Sequence, residues 1–202
     1  MPAIKSNVEI YLEEGLLALV PVYDNGDRSA VITLKGRHQE GRTVLSLVKS
    51  MAAAYSLDLT ALRSRSAELL RVKHHISLAL NENLVLLPVK VRTAAEPGEM
   101  TIGYVNLGQV ENVLVPPEGE GQALSRIVFK SGFELSTINT ADKIKKRMEH
   151  GKTVLTDLLL RRSRGISYTG LTRQSLLELM PTCECLLKDL FIGVLDLSKI
   201  KT

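Results

Sequence analysis

The side chains that could carry out chemistry are few. Histidines stand at His38, His74, His75 and His150, and cysteines at Cys183 and Cys185. A structural or catalytic zinc site needs three or four Cys, His or carboxylate ligands at set spacings, and none of these residues falls in such a pattern. His74 and His75 are adjacent. On a strand they face opposite ways and cannot share one metal, so the expectation is one buried and one exposed imidazole. Cys183-Glu184-Cys185 lacks the two intervening residues of a redox pair and reads as two buried or partly buried thiols on a helix. There is no Gly-x-Ser-x-Gly elbow. Gly36, Gly41, Gly98 and Gly103 form no phosphate-cradling loop. His74, His75 and Tyr104 are the only plausible groups for acid–base work, and an enzyme that used them would need a closed pocket with a strongly shifted histidine. The reading is a protein that is not an enzyme and has no cofactor.

Binding chemistry is better represented. Segment 61–92 holds Arg63, Arg65, Arg71, Lys73, Lys90 and Arg92 against Glu68 and Glu82. Segment 93–125 holds five glutamates and no base. Segment 140–173 is basic again, with Lys143, Lys145, Lys146 and Arg147 close together, then Lys152, Arg161, Arg162, Arg164 and Arg173, against Asp142, Glu149 and Asp157. Two basic blocks separated by an acidic one make an electrostatic footprint for phosphate if they meet in space. Otherwise they are solvated surfaces, and Arg161, Arg162 and Arg164 also complement a helix C-terminus.

The elements that would position these residues read as follows. VEIYL at 8–12 and the apolar run to residue 22 look like strands, and SAVITL at 29–34 returns after Asn25-Gly26, the strongest short hairpin signal. Gly41 and Thr43 open a helix with Val44, Val48, Met51 and Tyr55 along one stripe. A second helix spans 58–70 with Leu59, Leu62, Leu69 and Leu70 inward. ISLAL at 76–80 and LVLLPVKV at 84–91 form a hairpin, with Pro88 expected at an edge or a bulge. Strand 71–80 going out and 84–92 coming back would bring Arg71, Lys73, Lys90 and Arg92 together at one end. MTIGYVNL and QVENVLV are two more strands, and SRIVF and FELST form a last hairpin around Lys130-Ser131-Gly132. Asn139 or Thr140 can cap a helix that starts at Ala141, with Gly151 either breaking it or lying within it. Thr172 opens a further helix that Pro181 stops, and another follows over 183–192.

The chain has 202 residues, 45% hydrophobic and 24% charged, with no Trp and a net charge of +4. That is enough to bury a core and excludes disorder. No run reaches the roughly 20 apolar residues of a spanning helix. Glu9, Glu13 and Glu14 exclude a signal peptide in the N-terminal stretch, so no membrane partner and a cytoplasmic location are expected. The fold class is α+β: a β-hairpin-rich antiparallel sheet domain with packed helices and a helical C-terminal third. The composition shift near residue 140 divides it into a mixed β-rich region, 1–139, with one or two helices, and a helical region, 140–202.

The central block resembles the ComK family of competence transcription factors. The residues that carry the resemblance are Ala54-Tyr55, Lys73-His74-His75-Ile76, LVLLPV at 84–89, Gly103-Tyr104-Val105, and IVFKSGFELST at 127–137 followed by the helix at 140–150. The resemblance covers about residues 30–150. Tyr104 stands where the family has Trp, and His74-His75 where it has a Pro-Pro pair. Residues 101–150 are also similar to LytTR-type DNA-binding domains, through Val105-Asn106-Leu107 and Phe129 to Gly132.

The resemblance implies a DNA-binding transcriptional activator, with competence as the regulated process. It implies recognition of A·T-rich promoter duplex, largely through the minor groove, as a homodimer or higher homo-oligomer. RNA polymerase or a regulatory protein is a further candidate partner. The minor groove distinguishes A·T from G·C and, where narrow, attracts inserted Arg or Lys. Candidate contacts are Arg63, Arg65, Arg71, Lys73, Lys90 and Arg92, followed by Lys143, Lys146 and Arg147. The leucines at 158–160, 176, 177, 179 and 186 exceed what one helix layer needs and suggest a dimer contact or an intramolecular lid. The competing reading is a protein-interaction module that binds an acidic partner without sequence-specific DNA binding.

Overall fold

A computed structural model describes residues 6–23, 26–94, 96–116 and 123–165. The expectations for Cys183, Cys185, Arg173 and the helices beyond 170 lie outside these residues. The first element corrects the sequence reading. VEIYL is not a strand but most of helix α1 (Asn7–Glu13). Ser6 and Glu9 form a complete capping box, and Val8 and Tyr11 bury one face. Reciprocal capping of two orphan amides outweighs the strand preference of Val8 and Ile10.

Hairpin β1 (Leu16–Tyr23) and β2 (Asp27–Thr33) forms as Asn25-Gly26 predicts. A strand not anticipated, β3 (Gly36–Glu40), adds to the edge of β2. Thr43 caps α2 (Val44–Ala54), in which Val44, Val48 and Met51 are buried. Asp58 caps α3 (Leu59–Leu70). Leu59 and Leu62 are half-buried and pack on the core, but Leu69 is 41% exposed rather than inward.

Strands β4 (Leu78–Asn81), β5 (Leu84–Lys90) and β6 (Ile102–Asn106) complete a six-stranded antiparallel sheet in the order β3-β2-β1-β6-β5-β4. Pro88 pairs with Tyr104 of β6 and lies beyond the last residue of β5 that β4 covers, where a missing amide costs little. Strands β7 (Val110–Leu114), β8 (Ser125–Phe129) and β9 (Glu134–Thr137) form a separate three-stranded antiparallel sheet. Helix α4 (Ala141–Gly165) runs through Gly151 without a break.

The larger sheet is covered on both faces. Leu16, Leu19, Val31, Leu78 and Leu86 pack with Val8 and Tyr11 of α1 and Val44, Leu47 and Met51 of α2. Leu17, Ala18, Ile32, Val89 and Val105 pack with Ile127 and Phe129 of the small sheet and Ile144 of α4. Val85 and Leu87 meet Val154, farther along α4. Double coverage is why LLALV and LVLLPV read as continuous apolar runs instead of alternating. Helix α4 begins at the composition shift, and its turns up to Arg161 belong to the compact unit that includes both sheets.

Two glycines allow this layering. A Cβ on Gly103 would lie 2.5 Å from the Leu19 carbonyl oxygen, and one on Gly151 would lie 2.6 Å from Leu87 Cδ2. The first permits β6 to lie against β1, the second permits α4 to lie on β5.

A partly buried polar network ties α1 to the edge strand. Glu40 accepts from Tyr11 Oη at 2.9 Å and from Arg42 Nη2 at 3.1 Å. Glu14 bonds His38 Nε2 at 2.8 Å and accepts from Thr33 at 3.0 Å. The Arg42 hydrogen bond holds Glu40 below the usual carboxylate range. Burial, together with the Glu40 carboxylate, pushes Tyr11 up to about 12. These groups satisfy one another, which makes them structural.

Candidate nucleic-acid interface

The connection from α3 to β4 carries the first group of basic residues, and it is not a strand. Arg71 ends α3 in the left-handed region at φ 53°, and His75 repeats that conformation at φ 53°. Arg71, Lys73, His74 and His75 are all exposed. The expected pair of one buried and one exposed histidine is therefore wrong. Strand alternation does not apply, because β4 starts only at Leu78.

Helix α4 packs beside this connection. Ser77 Oγ donates to the Arg147 carbonyl at 3.4 Å. Arg147 Nη1 donates to the Pro88 carbonyl and to Asn139 Oδ1, each at 2.6 Å. Asn139 Oδ1 also accepts from the Lys90 backbone amide at 2.7 Å. The end of β5, the turn before α4 and the second turn of α4 are thereby locked together. Asn139 serves this junction, and of the two cap candidates Thr140 is the one that directly precedes Ala141, its carbonyl accepting from the Ile144 amide at 3.2 Å.

Cations converge here. Although the residue is exposed, partial desolvation of its ring by the neighbouring elements lowers the His75 pKa first, and Arg147, His74 and Lys90 lower it further. Burial also lowers His150, assisted by Lys146 and Arg147. Lys143, Lys146, Arg147 and His150 are spaced three or four apart, which sets them on one stripe of α4. Lys143 and Lys146 are exposed. Among the described residues no carboxylate bonds Arg71, Lys73, Lys90, Lys143 or Lys146.

Arg63 lies on α3 at the margin of this group. It adjoins Tyr104 and, with His75, lines a cavity of about 210 Å³. Burial pushes the Tyr104 phenol up, while the Arg63 guanidinium pulls the other way.

Two candidate residues are occupied elsewhere. Arg65 grips Asp157 of α4 through Nε at 3.1 Å and Nη2 at 3.2 Å, and Arg161 Nη2 shares that carboxylate at 2.7 Å. The Arg65 hydrogen bond holds Asp157 below the usual range. Arg92 bonds Glu99 and stands over the Tyr23 ring at 5.7 Å. Of the four residues expected together at the hairpin end, Arg92 is thus bound to the acidic loop. His75 and His150 are members of the basic group that the sequence reading did not select. Their nearness to Lys and Arg depends on three separate elements.

Among the described residues no three His, Cys, Asp or Glu side chains could hold a metal, and no helix is long and apolar enough to cross a membrane. No family model, curated protein or solved structure matches this chain.

Proposed function

We propose that the protein is a DNA-binding transcriptional regulator that recognises A·T-rich duplex, largely through the minor groove, with a basic face. Its residues are Arg71, Lys73, Lys90, Lys143, Lys146 and Arg147, with Arg63, His74, His75 and His150 beside them. The observation that carries the reading is the convergence on His75: Arg147 from α4, Lys90 from β5 and His74 beside it, on a connection whose basic side chains are exposed. A protein gathers like charges from separate elements at a cost in repulsion that a bound polyanion removes. The resemblance to ComK-type activators points the same way and supplies the expectation of A·T tracts. Arg65 and Arg92 are structural in this reading, because each is held by a carboxylate.

The test is fluorescence anisotropy with three duplexes at two salt concentrations. One carries paired A and T tracts, one a G·C-rich scramble and one the same tracts at altered spacing. Tract-selective, salt-dependent binding is expected. Equal weak binding to all three leaves only a basic surface. No binding to any overturns the reading in favour of an acidic protein partner.

A further inference from the structure

The cavity beside Tyr104 has a chemistry that duplex binding does not account for. Its walls are Leu45 of α2, Ile76 before β4, Met100, and Ile102 of β6. Its polar groups are Arg63, His75 and Tyr104, and among the described residues no carboxylate lines it. Tyr104 is only 9% exposed, and its phenol is held protonated by burial. The phenol therefore offers an O–H donor next to a guanidinium that no carboxylate of the described residues neutralises. A cation and a donor set into apolar walls fit an anionic head on an apolar body. At about 210 Å³ the space is below the roughly 300–1,000 Å³ of drug-sized sites, so the ligand has on the order of ten non-hydrogen atoms. Bare phosphate would leave Ile76, Met100 and Ile102 without a partner.

We infer that this cavity binds a small organic carboxylate. An apolar body of benzoate size sits on Ile76, Met100 and Ile102, and Arg63 with the Tyr104 O–H holds the carboxylate. The ligand occupies Arg63 and His75 at the margin of the basic face, so it competes with duplex DNA. That competition rests on the function proposed above; the binding of the acid does not.

The experiment is an NMR titration of the ¹⁵N-labelled full chain with benzoate, with neutral benzamide and with inorganic phosphate. Benzoate is expected to shift the amides of Arg63, His75, Ile102 and Tyr104. Benzamide should bind at least about tenfold more weakly, since it lacks the charge-assisted bonds. Arg63→Met should weaken benzoate about tenfold and Tyr104→Phe several-fold, with the rest of the spectrum unchanged. Three results overturn the inference. They are equal affinity for benzoate and benzamide, phosphate matching benzoate at the same amides, and no shift with benzoate up to about 10 mM, where a ligand of this size should saturate. If benzoate binds but the duplex titration fails, only the competition falls.

Discussion

Arg147 offers the sharpest test of how the basic face is built, because its exposed neighbours have no comparable internal role. Its Nη1 makes two bonds of 2.6 Å, to the Pro88 carbonyl and to Asn139 Oδ1. Hydrogen bonds to a charged group contribute about 1.5–3 kcal/mol each when buried. Two considerations reduce the sum here. Arg147 is only half-buried, so solvent screens part of each bond. Asn139 Oδ1 also keeps the Lys90 amide as a partner, so only the Pro88 carbonyl is orphaned. Arg147→Met should therefore cost about 2–3 kcal/mol, which in a unit of this size lowers the melting temperature by about 5–10 °C. Arg147→Lys, which lacks the planar fork, should lose about half as much. Lys146→Met, one residue away and exposed, should change stability by less than about 0.5 kcal/mol. Thermal unfolding followed by circular dichroism measures all three. An Arg147→Met protein that melts with the wild type would refute the junction and leave Arg147 as a surface cation like the others.

Other perturbations separate the remaining roles. Lys143→Ala and Lys146→Ala should each reduce the log–log salt slope of duplex binding by about 0.9 with unchanged melting, as read from anisotropy across a salt series. Gly103→Ala sets a methyl 2.5 Å from the Leu19 carbonyl and should cost about 3 kcal/mol by forcing β6 from β1, measured by urea denaturation. His75 and His150 are held below their ordinary value of 6.5 by partial desolvation first and by neighbouring cations second. The unfolded chain therefore takes up protons before the folded one, and stability should fall as pH drops from about 7 to about 5. Bound phosphates reverse that pressure, so duplex affinity should rise over the same range. Calorimetry in two buffers of different ionisation enthalpy would detect the proton uptake, and its absence would place DNA away from both histidines.

Much of the fold was legible because the signals were local. Asn25-Gly26 marked its hairpin, Thr43 with Val44, Val48 and Met51 marked α2, and Ala141 opened α4 where composition shifts. The failures have physical causes. In α1 the β-branched Val8 and Ile10 read as a strand, whereas the reciprocal capping of Ser6 and Glu9, a signal that reading leaves out, decides the matter. Strand β3 is a polar GRHQE whose pairing with β2 follows from the tight Leu34-Lys35 turn and the glycine after it, Gly36 at φ 146°, and not from alternation. The split into two sheets is set by long-range pairings such as β1 with β6, which no local pattern encodes. At the candidate site, residue type found the cations but could not sort them. Arg65 meets Asp157 across 92 positions of sequence, and only tertiary structure separates that brace from the exposed Arg71.

The left-handed backbone at Arg71 and His75 has an evolutionary consequence. Both positions have the conformation glycine adopts without strain and other residues adopt at a cost of about 1 kcal/mol. Selection for thermal robustness alone would drift toward glycine there and strip one cationic and one titratable side chain from the surface. Robustness and charge pull against each other at the same two codons, so their joint substitution by glycine in a hardened variant should yield a tougher protein with a blunter grip on polyanions.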